Sequence, residues 1–251
     1  VKLFLMKTGI KSYKTLKQRI KDKHVKTLLK LAREVNFVFN YVNNLSYEYT
    51  RRKGQFLSAF DIAPYTKGCT DKEFGDDKIH LHSQTVQAIA EEYVLRRKQF
   101  RKSKLNWRVS NKESGKYSLG WIPFKASGIK IENGQIRYGG QWFSIWDSYN
   151  INKYKDNIKS GSFVEDARGR WYICLVVEVN VENKIKIEDI KKEKSIGIDL
   201  GLKDFATISN GETHTKVEAA KNYRKLEEKL AMAQRARKPD LVRAIHAKIK
   251  N

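Results

Sequence analysis

The sequence contains few cysteines, few prolines and no long apolar run. Its two cysteines, Cys69 and Cys174, lie far apart, one in a polar loop and one in an apolar strand. We therefore expect free thiols, with neither a disulfide framework nor a paired-cysteine metal knuckle. No stretch approaches the roughly 20 apolar residues that a membrane-spanning helix needs, and residues 1–6 are too short for a signal-peptide core. We expect a cytoplasmic protein.

Acidic residues are scarce relative to basic ones. The 251-residue chain has 51 Lys and Arg against 28 Asp and Glu, which gives a formal net charge of +23. A surplus of this size favours a polyanion over a small acidic ligand. Since 40% of the residues are hydrophobic and only 3 are proline, the chain should fold into one large domain or two smaller ones. Nucleic acid is the partner that this charge indicates.

Two amphipathic helices are predicted in the first half of the chain. The first covers about residues 25–52, where apolar residues recur at spacings of three and four: Val25, Leu28, Ala32, Val35, Phe39, Val42, Leu45 and Tyr49. The second begins near Ser83, which can cap it. Its apolar face consists of Val86, Ile89, Ala90, Tyr93 and Phe100.

Residues 96–108 combine positive charge with aromatic side chains. This stretch has seven basic residues and no acidic one, with Phe100 and Trp107 between them. Basic groups can follow a phosphate backbone, while aromatic rings can stack on bases or sugars. The pattern therefore predicts a nucleic-acid contact, although a solvated charged surface would have the same composition.

Residues 118–181 change character and predict β-strands. The expected strands are residues 129–132, 135–138, 141–146, 162–166 and 170–179. The first two flank Asn133-Gly134, which is typical of a two-residue hairpin loop. Several alternating strands joined by tight turns indicate a small antiparallel barrel, to which residues 1–6 would add a strand.

Residues 195–211 predict a β-hairpin with a carboxylate at an unusual position. Two short alternating strands, 196–199 and 205–209, precede a turn signal at Asn210-Gly211. Asp199 ends the first strand, between two glycines. A carboxylate at the end of an apolar strand costs free energy unless a cation or a donor compensates it, and Mg²⁺ would be a suitable cation. The alternative is an aspartate that only caps a turn.

Three motifs resemble one known family. Residues 197–211, G-I-D-L-G-L-K-D-F-A-T-I-S-N-G, resemble the first RuvC motif of the OrfB/TnpB family. Its members are transposon-encoded RNA-guided DNA endonucleases, similar to compact type V CRISPR effectors. Residues 81–87, L-H-S-Q-T-V-Q, resemble the start of a helix in its recognition lobe. Residues 122–125, I-P-F-K, resemble its return into a β-barrel.

The resemblance implies an α+β multidomain fold. An antiparallel β-barrel, called the wedge domain, would comprise residues 1–8 and 118–182. A helical recognition lobe, residues 9–117, would be inserted into it. Residues 183–251 would begin an RNase H-like (RuvC) nuclease domain with a basic helical pair.

The resemblance also implies an activity. The family binds a guide RNA, recognises a short motif next to the target in double-stranded DNA and hydrolyses DNA with Mg²⁺. Asp199 would be the first of three acidic residues that hold two metal ions. The other two residues and the family's four-cysteine zinc segment do not occur in these 251 residues, so we expect a truncated chain. A complete chain would instead be a nuclease-deficient, RNA-guided DNA-binding regulator. A general RNA-binding protein is a further alternative, because the charge alone fits it as well.

Twelve residues are predicted to contact nucleic acid. Ser83, Gln84 and Gln87 lie in the motif that resembles the recognition lobe, and glutamine and serine side chains can read base edges. Surface residues with no base contact are the alternative interpretation. The full set is Lys78, His82, Ser83, Gln84, Gln87, Arg96, Arg97, Arg101, Lys104, Trp107, Lys125 and Arg137.

Overall fold

The structure, a computed structural model, describes residues 10–75, 79–181, 196–200, 206–210, 213–217 and 224–250. The chain divides into two compact units. One is Lys11–Val179, and the other contains residue 10 and the described residues after Val179. Helices and antiparallel strands both occur, so the predicted α+β class is confirmed. The division into three domains stays a prediction.

Four helices of the first unit precede most of its strands. They are α1 (Val25–Lys53), α2 (Ala59–Thr66), α3 (Asp71–Phe74) and α4 (Ser83–Phe100). The predicted first helix is confirmed, because Leu28, Val35 and Val42 are fully buried along one stripe. It ends at Gly54, which has a φ of 68° and donates its N–H to the Thr50 carbonyl. No helix among the described residues is long and apolar enough to cross a membrane.

The cap and the end of α4 differ from the prediction. The cap is His82 rather than Ser83, because the His82 Nδ1 accepts the Gln84 N–H at 3.3 Å and Ser83 is already helical. Phe100, assigned to the apolar face, is 55% exposed. It is the last helical residue, and Arg101 then turns the chain away in the left-handed region with a φ of 51°.

Seven strands form one curled antiparallel sheet in the order β2-β6-β7-β1-β5-β4-β3. Their bounds are β1 (Ile10–Ile20), β2 (Trp121–Lys125), β3 (Ile129–Glu132), β4 (Gln135–Tyr138), β5 (Gln141–Trp146), β6 (Ile158–Glu165) and β7 (Trp171–Val181). The two outermost strands, β2 and β3, are joined by only the three-residue turn Ala126–Gly128. This short connection holds the two edges of the sheet near each other and makes the sheet curl.

The first strand among the described residues lies in a part of the chain where no strand was predicted. It is Ile10–Ile20, inside the range assigned to the helical lobe, whereas residues 1–6 lie outside the described residues. Leu16 and Ile20 are buried, but so is the polar Gln18 between them. The Gln18 amide is satisfied because its Nε2 donates to Asp147 Oδ1 at 3.1 Å. A buried glutamine among lysines hides the apolar alternation that would mark a strand.

The remaining strands agree well with the prediction. The hairpin of β3 and β4 pairs Glu132 with Gln135 across Asn133-Gly134, and both loop residues have positive φ, 49° and 69°. Strand β5 has the predicted bounds. Strand β6 begins at Ile158, four residues before its expected start, and β7 covers the predicted run.

The core of this unit lies between the curled sheet and the helices. Phe163 is at its centre, with ring centroids 5.4 Å from Phe124, 5.4 Å from Tyr138 and 5.3 Å from Phe143. All four rings are buried, and burying such a side chain stabilises the fold by about 1.5–3 kcal/mol. Gly161 permits this packing, since a Cβ there would overlap the Phe124 ring and the backbone of β7.

The second unit has three strands and two helices within its described residues. They are β8 (Gly197–Asp199), β9 (Ala206–Asn210), β10 (Thr213–Val217), α5 (Arg224–Arg235) and α6 (Pro239–Lys250). The order β10-β9-β8 is antiparallel, so the predicted hairpin is confirmed. Its predicted turn includes Gly211, which lies outside the described residues. Pro239 begins α6, as its fixed φ favours. The RNase H-like fold stays a prediction.

Candidate nucleic-acid interface

Asparagine side chains of α1 hold an extended segment, residues 104–110, along the helix. Asn43 donates through Nδ2 to the Leu105 carbonyl at 2.8 Å and accepts the Leu105 N–H at 3.0 Å. Asn40 pairs in the same way with Arg108, with both hydrogen bonds at 2.8 Å. Each amide therefore satisfies both backbone groups of one residue, as a neighbouring β-strand would.

A third asparagine extends this contact. Asn36 accepts from Arg108 Nε at 2.5 Å and donates to Ser110 Oγ at 2.9 Å. Asn36, Asn40 and Asn43 follow one another at spacings of four and three, which places them on one face of α1. Asn36 and Asn43 are almost completely buried. We call these three residues the asparagine ladder.

A cleft opens beside this segment. Its volume is about 480 Å³, and its lining includes Arg96, Phe100, Lys102, Trp107, Arg108 and Trp121. Phe100 is 55% exposed and Trp107 is 51% exposed, so both present aromatic surface to solvent. The predicted combination of basic and aromatic side chains at residues 96–108 therefore occurs in one concave site. We refer to it as the basic-aromatic cleft.

Arg108 links the wall of the cleft to the core. Its Nη2 donates to the Leu119 carbonyl at 2.8 Å, and its Cζ lies 5.7 Å from the centroid of the Trp121 ring. Burial lowers the pKa of Arg108, but a guanidinium remains charged at any physiological pH. Lys104 lies 4.6 Å from the centroid of the Tyr47 ring and 5.5 Å from that of Trp107. Arg108 is thus oriented by an amide, a carbonyl and an aromatic ring, and Lys104 lies near two aromatic rings.

The structure corrects the predicted contact at Arg97. This residue is 4% exposed, and its guanidinium donates to Ser46 Oγ at 2.7 Å and to the Leu57 carbonyl at 2.9 Å. Its Cζ also lies 4.4 Å from the centroid of the Phe56 ring. Because both terminal nitrogens are used inside the protein, Arg97 joins α4 to α1 and to the loop before α2. It has no surface to offer a phosphate.

Other predicted contact residues already have partners within the chain. Arg96 Nε lies 2.6 Å from a carboxylate oxygen of Glu92, and Lys125 Nζ lies 2.8 Å from one of Glu91. Gln84 Oε1 accepts from Ser127 Oγ at 2.6 Å. A nucleic acid would have to compete with these exposed pairs, each of which contributes little to stability.

The rest of the predicted set lies at the surface or outside the described residues. Ser83, Gln87 and Arg101 are exposed, and Lys78 is outside the described residues. Arg137, also exposed, has its Cζ 5.9 Å from the centroid of the Trp142 ring on β5. His82 uses its Nδ1 to cap α4, so only its other ring nitrogen remains for a ligand.

Sequence reasoning missed a second basic surface, on the outer face of the sheet. Lys17 lies 4.4 Å from the centroid of the Tyr172 ring, and Lys21 lies 5.2 Å from that of Trp146. Arg19 is directly opposite Trp146 in the pairing of β1 with β5. The alternation of basic residues in β1 carries this signal, but it becomes visible only once β1 is recognised as a strand.

Asp199 lies in the second unit, at the end of β8 and opposite Thr207 of β9. It is exposed, as are its apolar neighbours Ile198 and Leu200. Among the residues that the structure describes, no group of three or more His, Cys, Asp or Glu side chains is placed to hold a metal ion. The described residues therefore do not form a complete two-metal site, which needs several carboxylates.

Comparison with known proteins bears on this second unit. Residues 174–247 match the OrfB_IS605 family model, whose description is "Probable transposase". The OrfB resemblance is confirmed over this span. The match includes Asp199, all of α5 and most of α6. A comparison with curated proteins finds no match to the sequence.

Two solved structures are similar to this chain at low sequence identity. One is a Cas12f1–sgRNA–target DNA complex determined by cryo-EM, with 11% identity and a TM-score of 0.46, and the alignment covers 89% of this chain and 69% of that one. The other is a CRISPR-Cas12f ternary complex, with 13% identity and a TM-score of 0.42, and the alignment covers 86% and 52% of the two chains. The chain thus spans about half the length of the second.

Proposed function

We propose that this chain is part of an RNA-guided DNA endonuclease of the OrfB/TnpB type. The observation that carries the proposal is the match of residues 174–247 to the OrfB_IS605 family, which includes Asp199 at the end of a paired strand. In this proposal, base pairing with a guide RNA selects the target DNA. The protein holds the nucleic acids mainly by shape and charge.

The charge distribution supports nucleic acid as the partner. The net charge of +23 attracts phosphate over long range and makes binding depend on salt. The first unit carries both basic surfaces, the basic-aromatic cleft and the outer face of the sheet. Exposed aromatic rings in each can contact bases or sugars as well as phosphates.

The proposed chemistry is metal-dependent hydrolysis of a phosphodiester bond. Mg²⁺ would polarise the phosphate and activate water when bound, and Asp199 would supply one of its carboxylate ligands. An exposed carboxylate at a strand end is suited to this role because a metal and a phosphate can approach it. Within the described residues, Asp199 is not part of any group of three or more His, Cys, Asp or Glu side chains that could hold the metal.

The test uses the natural full-length product with the RNA that purifies with it. A DNA duplex complementary to that RNA is incubated with Mg²⁺ and with the wild type, Asp199→Ala or Asp156→Ala. Asp156 is an exposed aspartate far from β8 in the chain and is the matched control. We expect cutting by the wild type and the control, and loss of cutting in Asp199→Ala because the metal site loses a ligand.

Two outcomes would contradict the proposal. Undiminished cutting by Asp199→Ala would remove this residue from the active site. Guided DNA binding without cutting by any of the three proteins would indicate a nuclease-deficient regulator.

A further inference from the structure

We propose that the basic-aromatic cleft binds one unpaired nucleotide of a single strand, with its base against Trp107. This inference rests on the proposed nucleic-acid function and specifies the form of nucleic acid that one site takes. The volume of the cleft is the first observation that supports it. Pockets of about 300–1,000 Å³ hold small molecules, and a cleft of about 480 Å³ falls within the range suited to one nucleotide.

The lining favours an unpaired base over a duplex. Trp107 and Phe100 both line the cleft and are each about half exposed, so part of each ring is accessible from it. In a duplex the base faces are stacked on each other and only the edges are accessible, whereas a single strand exposes the faces. An aromatic cleft that a duplex cannot enter therefore discriminates between the two forms.

The charges around the cleft fit the phosphates on either side of such a base. Arg96, Lys102 and Arg108 all line the cleft. Arg96 is paired with the Glu92 carboxylate, so it attracts a phosphate less strongly than an unpaired guanidinium would. Lys104 lies 5.5 Å from the centroid of the Trp107 ring, where its ammonium can reach a phosphate next to the stacked base.

The asparagine ladder holds this site in place before a ligand arrives. Asn40 and Asn43 bind the backbone on both sides of Trp107, at Arg108 and Leu105. A loop fixed at both ends loses little conformational freedom on binding, which favours affinity. Asn40 and Asn43 are thus positioning residues that act through Trp107 rather than by touching the nucleotide.

The main test measures the affinity of the full chain for three labelled probes at fixed salt. The probes are a single-stranded eight-nucleotide RNA, a single-stranded DNA of the same sequence and an RNA duplex. For Trp107→Ala we expect about 5- to 50-fold weaker binding of the single strands and a duplex affinity within about twofold of the wild type. Trp107→Phe should restore most of the loss. Phe60→Ala removes an aromatic ring that is 87% exposed on α2 and should change nothing.

A double-mutant cycle tests the positioning role. We expect Asn40→Ala to weaken single-strand binding about as much as Trp107→Ala, and the double variant to be no weaker than either single one. The matched control is Asn44→Ala, which removes an exposed asparagine from the same helix. Thermal unfolding of each variant identifies the fraction folded, so affinities refer to folded protein. Additive losses, or equal losses in Asn44→Ala, would overturn the positioning role.

The outcomes also separate this inference from the proposed function. If Trp107→Ala binds the duplex and the single strands as tightly as the wild type does, the inference is overturned but the proposed function is not. Equal losses for duplex and single strand would also overturn it, because the cleft would then not discriminate. Failure of the wild type to bind any of the three probes would overturn the inference together with the proposed function.

Discussion

Arg97 and Lys102 belong to the same basic run but occupy different environments. Arg97 is buried against Ser46 and Leu57, whereas Lys102 is exposed at the basic-aromatic cleft. Seven basic residues in thirteen positions indicate a charged segment, but its charge alone does not show which member faces inward. Within α4, helical phase decides this, and the phase of Arg97 directs its long side chain toward α1, whereas Lys102 lies beyond the end of the helix.

This difference gives a paired prediction. Arg97→Ala should destabilise the fold by about 1–3 kcal/mol, because it leaves buried acceptors at Ser46 and Leu57 without a donor. Lys102→Ala should leave stability within about 0.5 kcal/mol of the wild type. It should instead lower the slope of log affinity against log salt by about one. Urea unfolding and binding at several salt concentrations check both, and a reversal of the two results would contradict the assignment.

His24 predicts how stability depends on pH. It is half-buried, and its Nε2 accepts the Ser144 N–H at 3.0 Å, which requires this nitrogen to be unprotonated. Burial and, to a lesser degree, the charge of Lys23 lower its pKa below the usual 6.5. The unfolded chain therefore binds the proton more readily, and this contribution to stability is present above pH 6.5 and lost as the pH falls below it.

We expect the melting temperature to fall between pH 7.5 and pH 5 and His24→Gln to reduce that fall. Glutamine can still accept the Ser144 N–H but does not titrate. Melting temperatures of both proteins across this range provide the measurement. The exposed His80 gives the control, since His80→Gln should keep the wild-type pH dependence. Parallel curves for the wild type and His24→Gln would exclude His24 as the titrating group.

At the scale of elements, local patterns predicted structure wherever the signal was contained in the element itself. The Asn133-Gly134 loop, the apolar stripe of α1 and the alternation in β7 each determine their own element, and all three are confirmed. Strand β1 was missed because its inward Gln18 is satisfied by Asp147, more than a hundred residues away. A buried polar residue can be understood only when its distant partner is known.

The candidate site shows the same limit. Sequence placed basic and aromatic residues at 96–108, and the structure brings several of them into one cleft. The asparagine ladder escaped prediction because Asn40 and Asn43 are ordinary polar residues in a helix until a segment some sixty residues later docks on them. For Asp199, the sequence was enough to predict its position at a strand end, the hairpin and the family resemblance, and these predictions are confirmed.

The packing of β6 against β7 predicts a specific weak point at Gly161. A methyl group there would meet the Phe124 ring and the Cys174 carbonyl, neither of which is the flexible end of a side chain. Gly161→Ala should therefore destabilise the protein by about 1–3 kcal/mol through overpacking. Gly115→Ala is the control, because a methyl group at that exposed turn meets nothing within 4 Å. Denaturant unfolding should separate the two variants, and equal stabilities would show that the sheet can relax around the added methyl.

For the molecule as a whole, the division into two units leads to a prediction about a fragment. Residues 10–181 contain all seven strands of the curled sheet and the helices α1 to α4. We expect this fragment to fold alone, to unfold in one cooperative transition and to bind single-stranded RNA in a salt-dependent way. Circular dichroism melts and binding titrations measure this. A fragment without a cooperative transition would show that the first unit depends on the second.

The central position of β1 has a consequence for how the chain is made. Strand β1 pairs with β5 and β7, yet roughly 120 residues separate its end from the start of β5. At about 5–20 residues per second, a ribosome needs about 6–24 seconds to deliver that first partner. Throughout this interval the nascent strand has two open edges. Lys11, Lys14 and Lys17 repel neighbouring copies, so the charges that are exposed in the folded protein also protect the strand before the sheet exists.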